Sequence, residues 1–346
     1  MTIKSMRLRL ALLVLVNSAV SPVFAQAVDK IERDQLGMAR HIGPVTWARC
    51  TVEMNKPGAQ AYELSYDRSN EMPQSKFAEP EHYSFDASHG IPGTYHGFNT
   101  ESVRGNIGGQ GTQIDALGHF AYLPEIWDGK GEFPKHLLKY YGGWTHDEVK
   151  PRDDGGLQVL GTDKIPPIIT SAVLLDASRY LNKGQPLNDD QIISRADIEG
   201  MLKAQGLAER GILAGDMLLI HTGWGKKWTG DPAVYYTRGP GLAYDAALYL
   251  QSKQIVAVAL DNPFTDPAPP GMLNGTAQPA GTPQGLPFAI HHNNLSQAGI
   301  YQIQNAKLDE LAEHNVWESC AMVLPLKIKG GAQAPVRPVA IGRSVL

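Results

Sequence analysis

Gly215-Asp-Met-Leu-Leu-Ile-His-Thr222 reads as a tight turn at Gly215-Asp216 followed by an apolar strand from Met217. A strand without an alternating polar face is buried on both sides, which is the pattern of a sheet covered by helices. Upstream, Ser194 stands where it can cap a helix from Ala196 to about Gln205, with Asp197 in the first turn and Gly206 as the stop. Before that helix, Ala172-Val-Leu-Leu-Asp176 is a second apolar strand. Downstream, Tyr244 to Lys253 reads as a helix, and Ile255-Val-Ala-Val-Ala-Leu260 as a third buried strand ending at Asp261. Strands alternating with helices in this way are an α/β arrangement.

Further out the alternation lapses. Ile31 to Met38 looks helical and the chain then looks irregular to residue 60, where Ala61-Tyr-Glu-Leu-Ser65 is a strand candidate. Residues 66–110, rich in Gly, Pro, Ser and His, read as long loops and short strands. Trp127, Tyr140, Tyr141 and Trp144 belong to an excursion read as lying over a pocket. Tyr301-Gln-Ile-Gln304 reads as a strand and Leu308 to His314 as a short helix. Ala321 to Ile328 and Val336 to Ile341 read as terminal strands separated by Gly330-Gly331. The fold class is therefore α/β with mixed strand pairing.

The first residues combine Lys4, Arg7 and Arg9, an apolar run from Leu10 to Val16, and small residues ending at Ala25. This is the pattern of a secretory signal peptide cleaved after Ala25, and it implies a periplasmic or secreted protein. The apolar run is shorter than the roughly 20 residues a spanning helix needs. Removing the leader takes the formal charge from −4 to −7, because three cations and no acid leave with it. A mildly acidic mature chain argues against a nucleic-acid partner, and no later stretch argues for a membrane. About 320 residues remain, read as one domain over 26–346. Cys50 and Cys320 are the only cysteines, so a disulfide and two separate buried thiols both stand open.

The chemistry concentrates in Gly108-Gly-Gln-Gly-Thr-Gln-Ile-Asp-Ala-Leu-Gly-His119. On an extended backbone Gln113 and Asp115 share a face, and His119 follows closely. Two oxygen donors with an imidazole behind them suit a divalent cation and a base, although a lone Asp-x-x-x-His is more readily a glycine turn with its Asp capping a backbone amide. His291-His292 can supply a ligand, cap a helix or meet solvent. Gln304 lies on a strand whose alternate residues share a face. His82, His89 and His96 precede the glycine turn, and Asp176 and Asp261 end strands, where ligands of α/β sheets gather. A Gly-x-Ser-x-Gly elbow, a Walker loop and a dinucleotide loop are absent.

Taken together, these segments resemble the cyclase-like metal-dependent hydrolases, the family of bacterial kynurenine formamidase and isatin hydrolase. Gly111-Thr-Gln-Ile-Asp-Ala-Leu-Gly-His-Phe120 is similar to the signature His-x-Gly-Thr-His-x-Asp-x-x-x-His. Tyr62-Glu-Leu-Ser65 through Met72-Pro73, Val173 to Asp176, Gly215-Asp216 with Thr222-Gly-Trp224, Val258 to Asp261, His292, Gly299 to Gln304 and Pro335-Val-Arg337 match further landmarks. The two upstream signature histidines fall on Gly109 and Gln113, and the usual C-terminal glutamate falls on Gln304, while Asp115, His119 and His292 are retained.

The resemblance implies a mixed sheet with a barrel-like β element, a small-molecule substrate, and a homo-oligomer (dimer or tetramer). It implies hydrolysis of a C–N bond of an amide or cyclic amide, or of a lactone. His119 would be the catalytic base and acid. Gln113, Asp115, His292 and Gln304 would hold one divalent metal ion. Mn²⁺ or Zn²⁺ lead as candidates, with Mg²⁺ or Ca²⁺ suited to the oxygen-rich set. Two other readings remain open: a non-catalytic periplasmic small-molecule-binding protein on this fold, and a lyase or isomerase using His119. The hydrolase expectation requires residues 115 and 292 to face one cavity beside His119.

Overall fold

The structure is a computed structural model that describes residues 33–274 and 277–345, so the leader at 1–25 lies outside the described residues. Nine strands form one sheet. In chain order they are β1 (Gln60–Glu63), β2 (Gln113–Asp115), β3 (Ile168–Asp176), β4 (Met217–His221), β5 (Ala257–Leu260), β6 (Tyr301–Gln304), β7 (Glu318–Val323), β8 (Gln333–Pro335) and β9 (Val339–Gly342). Across the sheet the order is β1-β9-β7-β3-β4-β5-β6-β2-β8. The four central strands β3, β4, β5 and β6 run parallel, and both flanks are antiparallel. The sheet curls into a half-barrel, the barrel-like element that the resemblance implies.

The parallel centre follows from composition. Val173, Leu218 and Val258 on one face and Leu174, Leu219 and Ala259 on the other are all buried, so these strands bury both faces, and helices cover them. One covering helix is α1 (Pro44–Met54), which packs on β3 and β7. Another is α2 (Arg195–Ala204), capped as its sequence foretells. Ser194 accepts from the Asp197 amide at 3.2 Å, and the Asp197 carboxylate accepts from the Ser194 amide at 2.8 Å. Gly206 ends that turn with φ +74°. A third helix, α3 (Tyr244–Ser252), precedes β5.

Four expectations change. Residues 44–54, expected to be irregular, form α1. Its inward face is Thr46, Cys50 and Glu53 rather than an apolar stripe, which hides the helical period, while Pro44 at the first position starts it. Of the strand expected from Val336 to Ile341 only the end is strand, as β9 between β1 and β7, while the chain just before it, Gln333–Pro335, pairs at the far end of the sheet as β8 beside β2. Pro338 separates them, since proline cannot donate to a ladder. The stretch around His291, expected to be loop-like, is a helix, Ala289–His291, that continues as π-helical turns over His292–Ala298. Of the helix expected over Ile31–Met38, the described residues 33–36 are not helical, and only Gly37 and Met38 fall in a 3₁₀ turn, Gly37–His41.

Cys50 of α1 and Cys320 of β7 form a disulfide with Cα atoms 4.4 Å apart, closing the question the sequence left open. In the segment before the glycine turn, His82–Phe85 pairs with Glu101–Arg104, and His89–Gly90 pairs with Gly97–Phe98. This makes a β-hairpin whose side chains from Asp86 to Arg104 are all exposed.

Candidate metal centre

β2 lies between β6 and β8, and its alternation decides what each face carries. Ile114 pairs with Ile303 and Ala334 on the core side. Gln113 stands opposite Gln304, and Asp115 opposite both Gln302 and Gln333, so amides and one carboxylate crowd the other face. Asp115 is 0% exposed. Its Oδ1 accepts from Gln333 Nε2 at 2.8 Å and its Oδ2 from Gln304 Nε2 at 2.6 Å. Gln304 Oε1 in turn accepts from Gln113 Nε2 at 2.8 Å. Gln113 Oε1 is buried and has no hydrogen-bond partner among the described residues.

Behind this strand the chain makes a 3₁₀ turn, Leu117–His119. The turn carries the His119 ring to 6.3 Å, centroid to centroid, from the ring of His291. His291 Nε2 lies 3.6 Å from Asp115 Oδ2 and 3.1 Å from Gln304 Nε2. Its Nδ1 is hydrogen-bonded to Asp266, whose carboxylate also accepts from the backbone amides of Ile290 at 2.6 Å and His291 at 3.3 Å. Asp266 thus fixes both the start of the helix and the orientation of the ring, leaving Nε2 toward Asp115. Asp115, His119 and His291 each offer an atom within 4.8 Å of the other two. His119, His291, Gln113 and Gln304 line a cavity of about 250 Å³ walled by Phe77, Phe264 and other rings.

The electrostatics follow from burial and partners. Burial raises the Asp115 carboxyl, but the His119 charge and hydrogen bonds with His291 and Gln333 outweigh it and hold the group at about 2. Burial lowers His291, and the charge of Asp266 with the hydrogen bond to Asp115 overcomes it, pushing the ring up to about 9. For His119 burial dominates the pull of Asp115, so its imidazole sits below its ordinary value.

The expected set is therefore brought together in part. Gln113, Asp115, His119 and Gln304 converge. Gln304 meets Asp115 as a hydrogen-bond donor, with its oxygen engaged by Gln113, so as placed it braces the carboxylate rather than offering a ligand oxygen. His292 does not converge. It points into a neighbouring cavity of about 740 Å³ and meets Tyr122 edge-on at 5.1 Å. The expected pairing of residues 115 and 292 is corrected to 115 and 291, because Asp266 clamps the ring of His291 and the next position of a helix faces elsewhere.

Asp176 and Asp261 also belong elsewhere. They meet His221 at the C-terminal ends of β3, β4 and β5. His221 Nδ1 lies 2.9 Å from Asp176 and Nε2 3.3 Å from Asp309, while Asp261 accepts from the amides of Thr222 and Gly223, both at 2.8 Å. His82, His89 and His96 are exposed on the hairpin. Two residues the sequence did not single out support the glycine turn and the helix. Arg68 donates to the carbonyls of Ile107, Gln110 and Thr112 and pairs with Glu81. It lies so close beneath Gly111 (φ +59°) that a Cβ there would sit 3.2 Å from the guanidinium carbon. Asp266, in a proline-rich loop, is the other, and no local spacing signals it.

The family described as putative cyclase matches residues 62–267, which is more than half of the chain. A solved structure described as a novel cyclase superposes with a TM-score of 0.70 at 22% identity, covering 89% of this chain and 96% of that one. Isatin hydrolase A from Ralstonia solanacearum gives a TM-score of 0.55 at 19% identity over 87% of this chain and 98% of that one. Isatin hydrolase A from Labrenzia aggregata, bound to benzyl benzoate, gives 0.56 at 17% identity over 86% and 99%. At these identities the likeness establishes the fold. No curated protein matches the chain. With the signature turn placed on β2, the half-barrel sheet around it and the match over residues 62–267, the chain belongs to the putative cyclase family.

Proposed function

We propose that the protein is an exported, metal-dependent hydrolase that opens an amide, cyclic amide or lactone bond of a small molecule. The observation that carries this reading is the cluster of Asp115, His119 and His291, whose ligand atoms lie within 4.8 Å of one another and whose two imidazoles line one cavity with Gln113 and Gln304. One carboxylate, two imidazoles and the unpartnered oxygen of Gln113 fit a single divalent ion. With imidazoles among the donors, Zn²⁺ or Mn²⁺ suits the set better than Mg²⁺ or Ca²⁺. Asp115 and His291 would hold such an ion, which would supply Lewis-acid polarisation of a carbonyl and lower the pKa of water at the site.

The chain's own residues do the rest. Asp266 holds His291 Nδ1, and Gln304 and Gln333 hold the Asp115 carboxylate, so both ligands are oriented in advance. His119, whose imidazole burial holds below its ordinary value, takes a proton from water at a ring nitrogen and returns it to the leaving nitrogen or oxygen. The phenyl rings of Phe77, Phe264 and Phe288 exclude bulk water from the small cavity. Export is supported by the N-terminal leader and by the disulfide, which persists in oxidising compartments. Mass spectrometry of the secreted chain should find its N-terminus at Gln26.

The test is metal content of the purified protein, then turnover of a panel of amides, imides and lactones after Mn²⁺ or Zn²⁺ loading, read by product mass, since hydrolysis adds one water. His119→Ala should lose about 10²–10⁴ in turnover with its circular dichroism unchanged. Loss of metal along with turnover would make His119 a third ligand, which the 4.8 Å cluster also permits. A second reading, a binding protein of this fold that needs no cation, is favoured by one observation: the amides of Gln304 and Gln333 already satisfy both Asp115 oxygens. Purified protein that neither contains nor takes up a divalent ion would decide for it.

A further inference from the structure

His292 is the member of the adjacent pair that the Asp115 site does not use. Its ring lines the cavity of about 740 Å³, and Phe120 and Phe288 line both this cavity and the smaller one at Asp115. The two phenyl rings stand edge to face with centroids 6.3 Å apart, so the cavities share an aromatic wall. Much of the larger cavity is apolar, with Tyr122, Trp127, Phe133 and Leu286 around it. Its roof closes where Ile126 lies over Gly285, so near that a Cβ at 285 would be 2.7 Å from Ile126 Cδ1. Glu125 is its one charged side chain, and among the described residues neither Lys nor Arg lines it, which disfavours an anionic occupant.

Tyr122 holds the His292 ring edge-on at 5.1 Å. Nδ1 is buried without a partner among the described residues. A buried N–H without an acceptor is rarer than an unmatched lone pair, so the proton belongs on Nε2, the nitrogen left to face the cavity. Tyr122, Tyr244, Gln284 and Gln297 add polar groups to a largely apolar wall, and such a chamber with His292 Nε2 as a fixed donor suits a neutral ligand carrying an acceptor oxygen.

We propose that this cavity is a second binding subsite. It takes an uncharged aryl or alkyl arm of the small molecule whose carbonyl lies at Asp115, and His292 Nε2 donates one hydrogen bond to an oxygen on that arm. That one molecule spans both cavities rests on the hydrolase reading. Occupancy of the larger cavity by a neutral aryl ketone does not.

The probes are acetophenone and ethylbenzene, nearly the same shape with and without a carbonyl, titrated calorimetrically into the full-length mature protein. Both should bind, and Trp127→Ala should weaken both. His292→Phe should reduce the preference for acetophenone over ethylbenzene by about three- to tenfold, the worth of one hydrogen bond. His292→Gln, which keeps a donor near the Nε2 position, should retain the preference. His119→Ala should leave both affinities unchanged. Each variant is checked by its thermal melt. The proposal falls if neither probe binds, if the preference survives in His292→Phe, or if His119→Ala abolishes binding, which would place the probes at Asp115 instead. Probe binding as expected in a protein that shows no hydrolysis would remove only the claim of a spanning substrate. Hydrolysis without probe binding would remove the subsite alone.

Discussion

Asp266 decides which of two adjacent histidines serves the site. Its carboxylate binds the amides of residues 290 and 291 and the ring of His291, so the helix starts in a phase that aims His291 at Asp115 and His292 at the other cavity. A carboxylate behind a ligating imidazole is typically worth 10–100-fold in metal affinity. Asp266→Asn should therefore weaken Mn²⁺ or Zn²⁺ binding by about that factor, and His291→Ala should weaken it further. His292→Ala should leave metal affinity unchanged. Competition with a chromophoric chelator measures all three, and equal losses in the two histidine variants would refute the assignment. At this scale the sequence was legible where the site is contiguous. Gln113, Asp115 and His119 share one short segment, and strand alternation brings in Gln304. It was not legible for His291 against His292, because helical phase is set by a contact with a residue in a loop 25 positions away. Nor did it point to Gln333, which reaches Asp115 only through the pairing of β8.

The parallel strands carry a second lesson. Asp176, His221 and Asp261 end β3, β4 and β5 side by side, and Asp309 joins them from the turn of helix at Asp309–Glu313. Burial lowers His221, but hydrogen bonds to Asp176 and Asp309 and the charge of Asp261 outweigh it and push the ring up to about 10. A raised histidine stabilises the fold fully below its unfolded value, near 6.5, and loses that contribution as pH rises toward about 10. Asp176 and Asp309 stand below their usual value: burial works against this, but their hydrogen bonds to His221 outweigh it, so their share fades in acid. His221→Asn should cost about 3–5 kcal/mol at pH 7, since it strands buried carboxylates. The gap to the native protein in urea unfolding should narrow as pH approaches 10. A gap that stays constant would mean that His221 acts by packing rather than by charge. The apolar strands themselves were readable because each is a continuous buried run. The elements that escaped were those with mixed character, α1 with its Thr-Cys-Glu face and the two strands on either side of Pro338.

Across the chain, the disulfide joins residues 270 apart and ties α1 to the sheet, so reduction should cost about 2–5 kcal/mol, read as a lower Tm in dithiothreitol than in buffer alone. The exposed hairpin poses the larger question. Its two short ribbons, His82–Phe85 with Glu101–Arg104 and His89–Gly90 with Gly97–Phe98, bury little of their own surface. A lone two-stranded ribbon is at best marginal in water. Yet this one carries Phe85 at 76% exposure and Tyr95 at 106%, with Ile91, Phe98 and Val103 also exposed. Apolar side chains on a protruding ribbon mark a surface that another chain covers. We propose that a second copy of this chain, as in the homo-oligomer implied by the family resemblance, would be that partner, a symmetric pair letting each arm meet the same surface on the other. Light scattering of the mature protein at micromolar concentration should then give a mass that is a multiple of one chain. Phe85→Ser with Phe98→Ser should shift that mass toward the monomer while the Asp115 site keeps its metal affinity, because both side chains are exposed and the arm is tied back through Tyr83 to Asn70 and Glu81, none of them residues of that site. A native protein that stays monomeric, or an oligomer that ignores both substitutions, would leave the arm without that role.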